Sequence, residues 1–389
     1  MMDNRRKHIA IMAISMNIGG TERVISLLLP KLVKDYRVSL VLLSEEIAFD
    51  IPSEVNIHVL GSSEKVLTTS PLQKIWFTLG YFRKYYRLVK RERFDVSLSF
   101  LALPNFINSA VANLFRNPKI RTIISERCYP SQMYARSRFS MIIARIFYPL
   151  LYNRNDMLFS NSVYINNDLK NRFGVKIPMA VVYNPVKLKP LEKELSATEN
   201  RKIFNVINVG SHVFVKNQMM ILKAINRLDD TYVLTLLGDG NLTDSMTDFA
   251  IDTGISKRLN MPGRVGNVEI YLSESDCFVL SSRTEGFPNV ILEAMANGVP
   301  VISTNCMSGP LEILNDNQPV QIEKGEFVLA RYGVLVNVDD DDGLAQALEF
   351  LKSHPDKRLE YINLGLQKAQ EFDLTVIYKK FKDLIENKD

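Results

Sequence analysis

Short apolar runs of strand length alternate with longer amphipathic stretches along this chain, and the alternation stops once and then restarts. In the first series, His8–Ser15 reads as a buried strand, Asn17-Ile18-Gly19-Gly20 as a turn and Thr21–Lys34 as a helix. Arg37–Leu43, Asp95–Phe100, Ile120–Ile124 and Asp156–Ser160 follow as further strands. Unbroken apolar runs suit strands covered on both faces, which belong to parallel sheets. Tyr183-Asn184-Pro185 closes this series, and the polar segment KLKPLEKELSATENRK, Lys187–Lys202, comes next. The second series has strands at Ile203–Val209, Tyr232–Leu237, Cys277–Leu280, Val299–Ser303 and Val334–Asn337, with a helix at Gln218–Leu228. Two α/β domains with mainly parallel sheets are predicted, divided at the polar segment. Ligands of such domains sit at the carboxyl ends of strands, where several glycine-rich and charged turns fall.

Length and composition agree. At 389 residues the chain is long enough for two domains. A hydrophobic share of 46% with 23% charged residues describes a globular protein and excludes a disordered one. The 48 Lys and Arg exceed the 43 Asp and Glu by only five, too few to select a partner without knowing their distribution. Cys128, Cys277 and Cys306 are too widely spaced for a disulfide framework or a metal knuckle, which favours the cytosolic side. The first apolar run ends at Asn17, too soon for a signal peptide, and no apolar run reaches bilayer-spanning length. Asp339–Asp342 lacks the ligand spacing of a calcium loop and suits the positive end of a helix over Leu344–Leu351.

The stretch SRTEGFPNVILEAMANGVPVIST, Ser282–Thr304, follows one of the predicted strands and holds two carboxylates eight residues apart, Glu285 and Glu293. Gly286 allows close backbone approach, Pro288 is tolerated at a helix start, and Asn289–Asn297 reads as the helix. First-turn N–H groups there are available to a phosphate. Glu285 can accept hydrogen bonds from sugar hydroxyls, and Glu293 can hold a ribose diol. By periodicity alone, both could equally be acids on a surface helix.

The segment TEGFPNVILEAMANGVPVIST resembles the signature of retaining glycosyltransferases of family 4 (GT4). Its glutamate, seven residues, glutamate arrangement matches Glu285 and Glu293. The resemblance implies the α/β fold called GT-B, two Rossmann-like domains facing across a deep cleft. It implies that Glu285 contacts the donor sugar, that Glu293 contacts the ribose, and that the backbone of Gly286, Phe287, Pro288 and Asn289 meets the donor pyrophosphate. VGSHVFVKNQ, Val209–Gln218, is similar to the family's loop after the first strand of the second domain. Lys216 fits its lysine, while Ser211 stands where an arginine is usual. Gly238-Asp239-Gly240 resembles the turn beside the nucleotide, and Arg264 in PGRVGN lies in the loop over the base. MNIGGTERV, with Gly19 and Gly20, resembles the first loop, where glycines approach the donor phosphates. ISERCYPSQ places Ser125, Glu126 and Arg127 where many relatives carry a histidine near the reacting centre. Expected catalytic residues are therefore Glu285, Lys216 and Glu126; no metal or other cofactor is expected, the donor being a nucleotide sugar, UDP-linked. The expected domains are 1–186 on the acceptor side, a linker at 187–202, 203–367 for the nucleotide sugar, and a C-terminal helix at 368–389 packing back on the first domain.

Charge is unevenly spread. Leu72–Phe94 contains seven Lys or Arg, one acid and seven aromatics, and Ser131–Asn155 contains four Arg and no acid. Both are expected to touch an anionic membrane surface; the aromatics could otherwise be the core of an amphipathic helix. Nothing matches a nucleic-acid-binding module. The expected activity is transfer of a hexose or N-acetylhexosamine from a UDP-sugar to a lipid-linked oligosaccharide, at the inner face of the cytoplasmic membrane. Alternatives are an epimerase or phosphorylase of the same fold, or a non-catalytic assembly subunit whose donor pocket has decayed.

Overall fold

The computed structural model describes residues 6–61, 71–114, 120–135, 137–188 and 202–387, with the side chains of helix Pro71–Glu92 described from Thr78 onward. Nearly all of the polar segment Lys187–Lys202 lies outside the described residues, as do the side chains of Trp76 and Phe77. The chain divides into two compact units, one formed by Met1–Pro185 with Leu374–Asp389, the other by Val186–Asp373.

The first unit is built on a seven-stranded sheet: β1 (His8–Ala13), β2 (Arg37–Leu42), β3 (Asn56–Val59), β4 (Val96–Phe100), β5 (Arg121–Glu126), β6 (Met157–Ser160) and β7 (Met179–Val181). Their order is β3-β2-β1-β4-β5-β6-β7 and every pairing is parallel. Ile9 faces Val38 on one side and Val96 on the other. All residues of β1 and β4 are buried, which is why Ile9–Ala13 reads as an unbroken apolar run; β4 buries Ser97 and Ser99 among its apolar residues.

The second sheet repeats the plan with β8 (Phe204–Val209), β9 (Tyr232–Leu237), β10 (Leu259–Gly263), β11 (Cys277–Leu280), β12 (Val301–Thr304), β13 (Phe327–Leu329) and β14 (Val334–Val336). The order is β10-β9-β8-β11-β12-β14-β13; only β13 runs antiparallel, as an edge hairpin with β14. In each sheet the chain moves outward from its first strand, then returns to that strand's other side. The reversal creates a crevice at the carboxyl ends of β1 and β4, and another at β8 and β11, where open α/β sheets bind ligands.

The last helix, Leu374–Glu386, belongs to the first unit, whereas helix Pro355–Gln370 stays with the second. The return therefore begins at residue 374, not at 368 as the sequence suggested. Ile377, Tyr378, Phe381, Leu384 and Ile385 recur at helical spacing and enter the same core as Val24, Leu28 and Leu98. Polar bonds fix its register: the Tyr378 hydroxyl donates to Asp35 Oδ2 at 2.6 Å and the Tyr36 hydroxyl to Glu386 Oε1 at 2.8 Å. Among the described residues no helix is long and apolar enough to cross a membrane.

Candidate active site

The crevice between β8 and β11 is the natural starting point. Cys277 pairs with Val206 and Phe278 with Ile207, so the loops leaving the two strands emerge side by side. The loop after β8, residues 210–217, carries Lys216; the loop after β11, residues 281–288, carries Glu285. Lys216 Nζ donates to Glu285 Oε1 at 2.7 Å, and the Ser282 hydroxyl donates to the same oxygen at 2.5 Å. Both bonds end on Oε1, which leaves Oε2 of Glu285 for another donor. The Glu285 side chain is only 10% exposed and that of Lys216 29%, so the pair lies recessed, where an ionic contact is less screened than on open surface.

The two loops are strapped together. Arg283 N donates to Val215 O at 2.8 Å, the Ser281 hydroxyl to Lys216 O at 2.8 Å, and Arg283 Nη1 to Phe214 O at 2.6 Å. The Arg283 guanidinium lies over the Phe214 ring and also holds Asp339, which accepts from Asn217 Nδ2 at 2.9 Å. Lys216 is therefore placed by backbone and by a side-chain clamp rather than by its contact with Glu285 alone. Asp340, the next acid, caps helix Asp341–Ser353 by accepting from Gly343 N at 3.0 Å.

Downstream of Glu285, helix Asn289–Ala296 starts at Pro288 with no side-chain cap. Glu285 N donates to Met307 O at 2.9 Å, and the Ser308 hydroxyl donates to Gly286 O at 2.7 Å, which pins the approach to the helix. Gly309 lies so close behind it that a Cβ there would sit 2.5 Å from Pro288 Cδ. Glu293 is half-buried in the middle of the helix. The Phe287 side chain is buried and packs against Phe372 at 5.7 Å between ring centroids, so its ring serves the core of this unit.

The turn after β9 completes the crevice's edge. Gly238 has φ +136°, and a Cβ there would overlap the Gly210 carbonyl. His212 N donates to Asp239 O at 2.7 Å, and Arg264 Nε donates to Asp239 Oδ1 at 2.5 Å across the exposed rim. Ser211, exposed, receives the Gln218 amide on its backbone oxygen. His212 is buried with its Nδ1 2.9 Å from the Thr243 hydroxyl, and burial lowers its pKa from the usual histidine range.

Gly19, Gly20 and Glu126 belong to the first unit. Gly19 precedes helix Gly20–Asp35 in extended conformation and contributes no side-chain cap. Glu126, at the end of β5, is fully buried. Its Oε2 accepts from the Tyr152 hydroxyl at 2.9 Å and from Tyr148 at 3.4 Å; its Oε1 accepts from Arg127 N at 3.2 Å. Removal from water raises its pKa to about 6 despite these bonds. The carboxylate expected to be catalytic is thus enclosed by two tyrosine hydroxyls and by the backbone of the turn that follows it. The buried Arg127 beside it bonds Asn184 Oδ1 through Nη2 and lies over the Phe100 ring. Among the described residues no group of three His, Cys, Asp or Glu is placed to hold a metal ion.

Comparison with known proteins matches both halves. The family described as "Glycosyltransferase Family 4" matches residues 18–189, and "Glycosyl transferases group 1" matches residues 191–368. The chain belongs to the GT-B glycosyltransferases. The N-acetylgalactosamine-N,N'-diacetylbacillosaminyl-diphospho-undecaprenol 4-alpha-N-acetylgalactosaminyltransferase of Campylobacter jejuni is 28% identical to it, over 94% of this chain and 95% of that one. A second Campylobacter jejuni enzyme is named GalNAc-alpha-(1->4)-GalNAc-alpha-(1->3)-diNAcBac-PP-undecaprenol alpha-1,4-N-acetyl-D-galactosaminyltransferase. It is 26% identical over 97% of this chain and 98% of its own. Among solved structures, the sucrose-phosphate synthase of Thermosynechococcus elongatus superposes with a TM-score of 0.80 at 15% identity, covering 98% of this chain and 99% of that one. At such identity the likeness speaks for the fold, two Rossmann-like domains.

In this glycosyltransferase the structure brings Ser211, Lys216, Gly238 and Glu285 together at the β8–β11 crevice of the second unit, with Arg264 on the rim through Asp239; Gly286, Pro288 and Asn289 follow Glu285 into the helix that carries Glu293. Sequence reasoning missed Ser282 and the Arg283–Asp339–Asn217 clamp. Ser282 lay inside the quoted motif and its hydroxyl, three residues before Glu285, was the available signal. Asp339 carried none, because its partners stand 56 and 122 residues away.

Proposed function

We propose that this glycosyltransferase moves a hexose or N-acetylhexosamine from a UDP-sugar to a lipid-linked oligosaccharide in surface polysaccharide assembly, retaining the anomeric configuration. The observation that carries the reading is Lys216, Glu285 and Ser282 meeting at the β8–β11 switch point, beside an uncapped helix start. As the bond from the sugar to the diphosphate breaks, negative charge grows on the departing nucleotide. Lys216 carries three N–H donors, so it can keep Glu285 in place and still turn a proton toward that charge. The helix N–H groups add fixed partial positive charge at the same end. Glu285 Oε2 accepts from a donor-sugar hydroxyl, and Glu293 takes the ribose diol. Arg283 is committed to Asp339 and Arg264 to Asp239. Lys216 and the helix thus carry most of the task left open by Ser211.

Support for a lipid-linked acceptor comes from the names of the two Campylobacter jejuni relatives, both of which act on diphospho-undecaprenol saccharides. The test incubates the full chain with single UDP- and GDP-sugars, with and without an undecaprenyl-diphosphate-linked acceptor, and reads products by mass. Acceptor-dependent addition of one sugar from a UDP donor is expected. Conversion of the free UDP-sugar without acceptor would instead indicate an epimerase or phosphorylase.

A further inference from the structure

Asn217, Arg283 and Asp339 leave three different strands, β8, β11 and β14, and meet beside Lys216. Arg283 Nη2 donates to Asp339 Oδ1 at 2.5 Å and Nε to Oδ2 at 3.2 Å, so one guanidinium meets both carboxylate oxygens. Asn217 Nδ2 reaches Oδ1 as well, at 2.9 Å. Two of these residues hold backbone that side chains rarely adopt: φ is +54° at Asn217 and +60° at Asp339. Asn217 stands at the cap position of helix Gln218–Arg227, where an asparagine ordinarily accepts a first-turn N–H, yet its side chain caps nothing there. That side chain is buried and spent on Asp339 instead. Backbone of this kind persists where its surroundings over-determine it, and it gathers at functional sites. The remaining arms end on the two residues before Lys216. Arg283 Nη1 donates to Phe214 O at 2.6 Å, Arg283 N donates to Val215 O at 2.8 Å, and the guanidinium lies 4.1 Å from the Phe214 ring centroid.

We propose that Arg283 and Asp339 are positioning residues for sugar transfer that act through Lys216. The clamp fixes the backbone from which the lysine reaches out, so its ammonium already stands where negative charge grows on the departing diphosphate. A cation placed beforehand stabilises that charge without reorganising at the moment of reaction. The ion pair works by geometry more than by charge, because the Asp339 side chain is 54% exposed and its attraction is screened. Ser211 supplies no charge of its own, so the placement of Lys216 matters correspondingly more. The inference rests on the proposed function in one respect, that Lys216 meets the diphosphate of the donor.

The experiment is a double-mutant cycle on the full chain, read by UDP calorimetry and by kcat for transfer from a UDP-sugar. UDP carries the charge that the departing group acquires, so its affinity reports on Lys216 without requiring transfer. Asp339→Gly removes the carboxylate and suits the positive φ. It is expected to weaken UDP binding about tenfold and to lower kcat about 10–100-fold, the cost of a displaced catalytic group, with KM for the UDP-sugar changing less. In a Lys216→Ala background the same substitution should leave both quantities within about twofold. Arg283→Lys keeps the charge but cannot span Phe214 O and both Asp339 oxygens, and it should behave as Asp339→Gly does. Equal losses with and without Lys216 would overturn the inference, because the clamp would then serve the fold alone. Unchanged UDP affinity and kcat in Asp339→Gly would overturn it too. A wild type that shows the Lys216-dependent loss of UDP affinity yet transfers no sugar would instead strike at the proposed reaction and leave the clamp standing.

Discussion

At the scale of single residues, Lys216 and Glu285 are expected to act as one unit. Lys216→Ala should slow transfer about 10²–10³-fold, the usual cost of losing a charge-stabilising donor. Adding Glu285→Ala should cost far less than the product of the two single losses, because each holds the other. Strictly multiplicative effects in kcat would separate them. Glu126 makes a different prediction. Its pKa is raised by burial from the ordinary value of 4.5 to about 6. The folded state therefore favours the protonated acid, a contribution fully present below pH 4.5 and lost as pH rises through 6. Measured against Glu126→Gln, wild-type unfolding free energy should fall by about 2 kcal/mol between pH 4 and pH 7. A difference independent of pH would show that the carboxylate is not enclosed as described.

At the scale of elements, the site depends on turns more than on the helices that carry its side chains. Gly238→Ala would press a Cβ against the Gly210 carbonyl at a positive φ. It should shift the loop that leads to Lys216, destabilising the second unit by about 1–3 kcal/mol and weakening UDP binding by calorimetry. Normal stability and affinity would contradict the tight approach of the two turns. The elements that were legible in the sequence are those the fold buries twice. Ile9–Ala13 of β1 and all of β11 read as unbroken apolar runs because both of their faces are buried, and β4 and β8 kept enough apolar residues around Ser97, Ser99, Asn205 and Asn208 to be read as strands. β3, mostly exposed at its edge, and the three-residue β7 and β13 lacked that signal. The motif at Glu285 was legible for a different reason: strand, loop and helix start are contiguous in sequence. The enclosure of Glu126 was not, because Tyr148 and Tyr152 come from a helix 22 and 26 residues away. Nor could periodicity show which basic stretch exposes its apolar residues, since Leu72–Phe94 turns Tyr81, Tyr85 and Phe94 inward while Arg138–Tyr152 keeps a face outside.

At the scale of the whole molecule, two sheets of like topology divide the work, and the chain's last helix returns to complete the core of the first. Phe381 packs edge-on against Phe159 at 5.7 Å between ring centroids. Phe381→Ala should destabilise the first unit by about 3–5 kcal/mol, read as an early unfolding step, while UDP still protects the second unit in the same melt. A single cooperative transition shifted as a whole would argue that the units do not melt separately. Binding and turnover of a nucleotide sugar in the β8–β11 crevice can be read from sugar transfer from a UDP-sugar to an undecaprenyl-diphosphate-linked acceptor, comparing wild type with a folded Glu285→Ala variant. Wild type should yield an acceptor one sugar heavier, and the variant should form that product at least about 100-fold more slowly. Full activity in the variant would place the donor sugar away from Glu285.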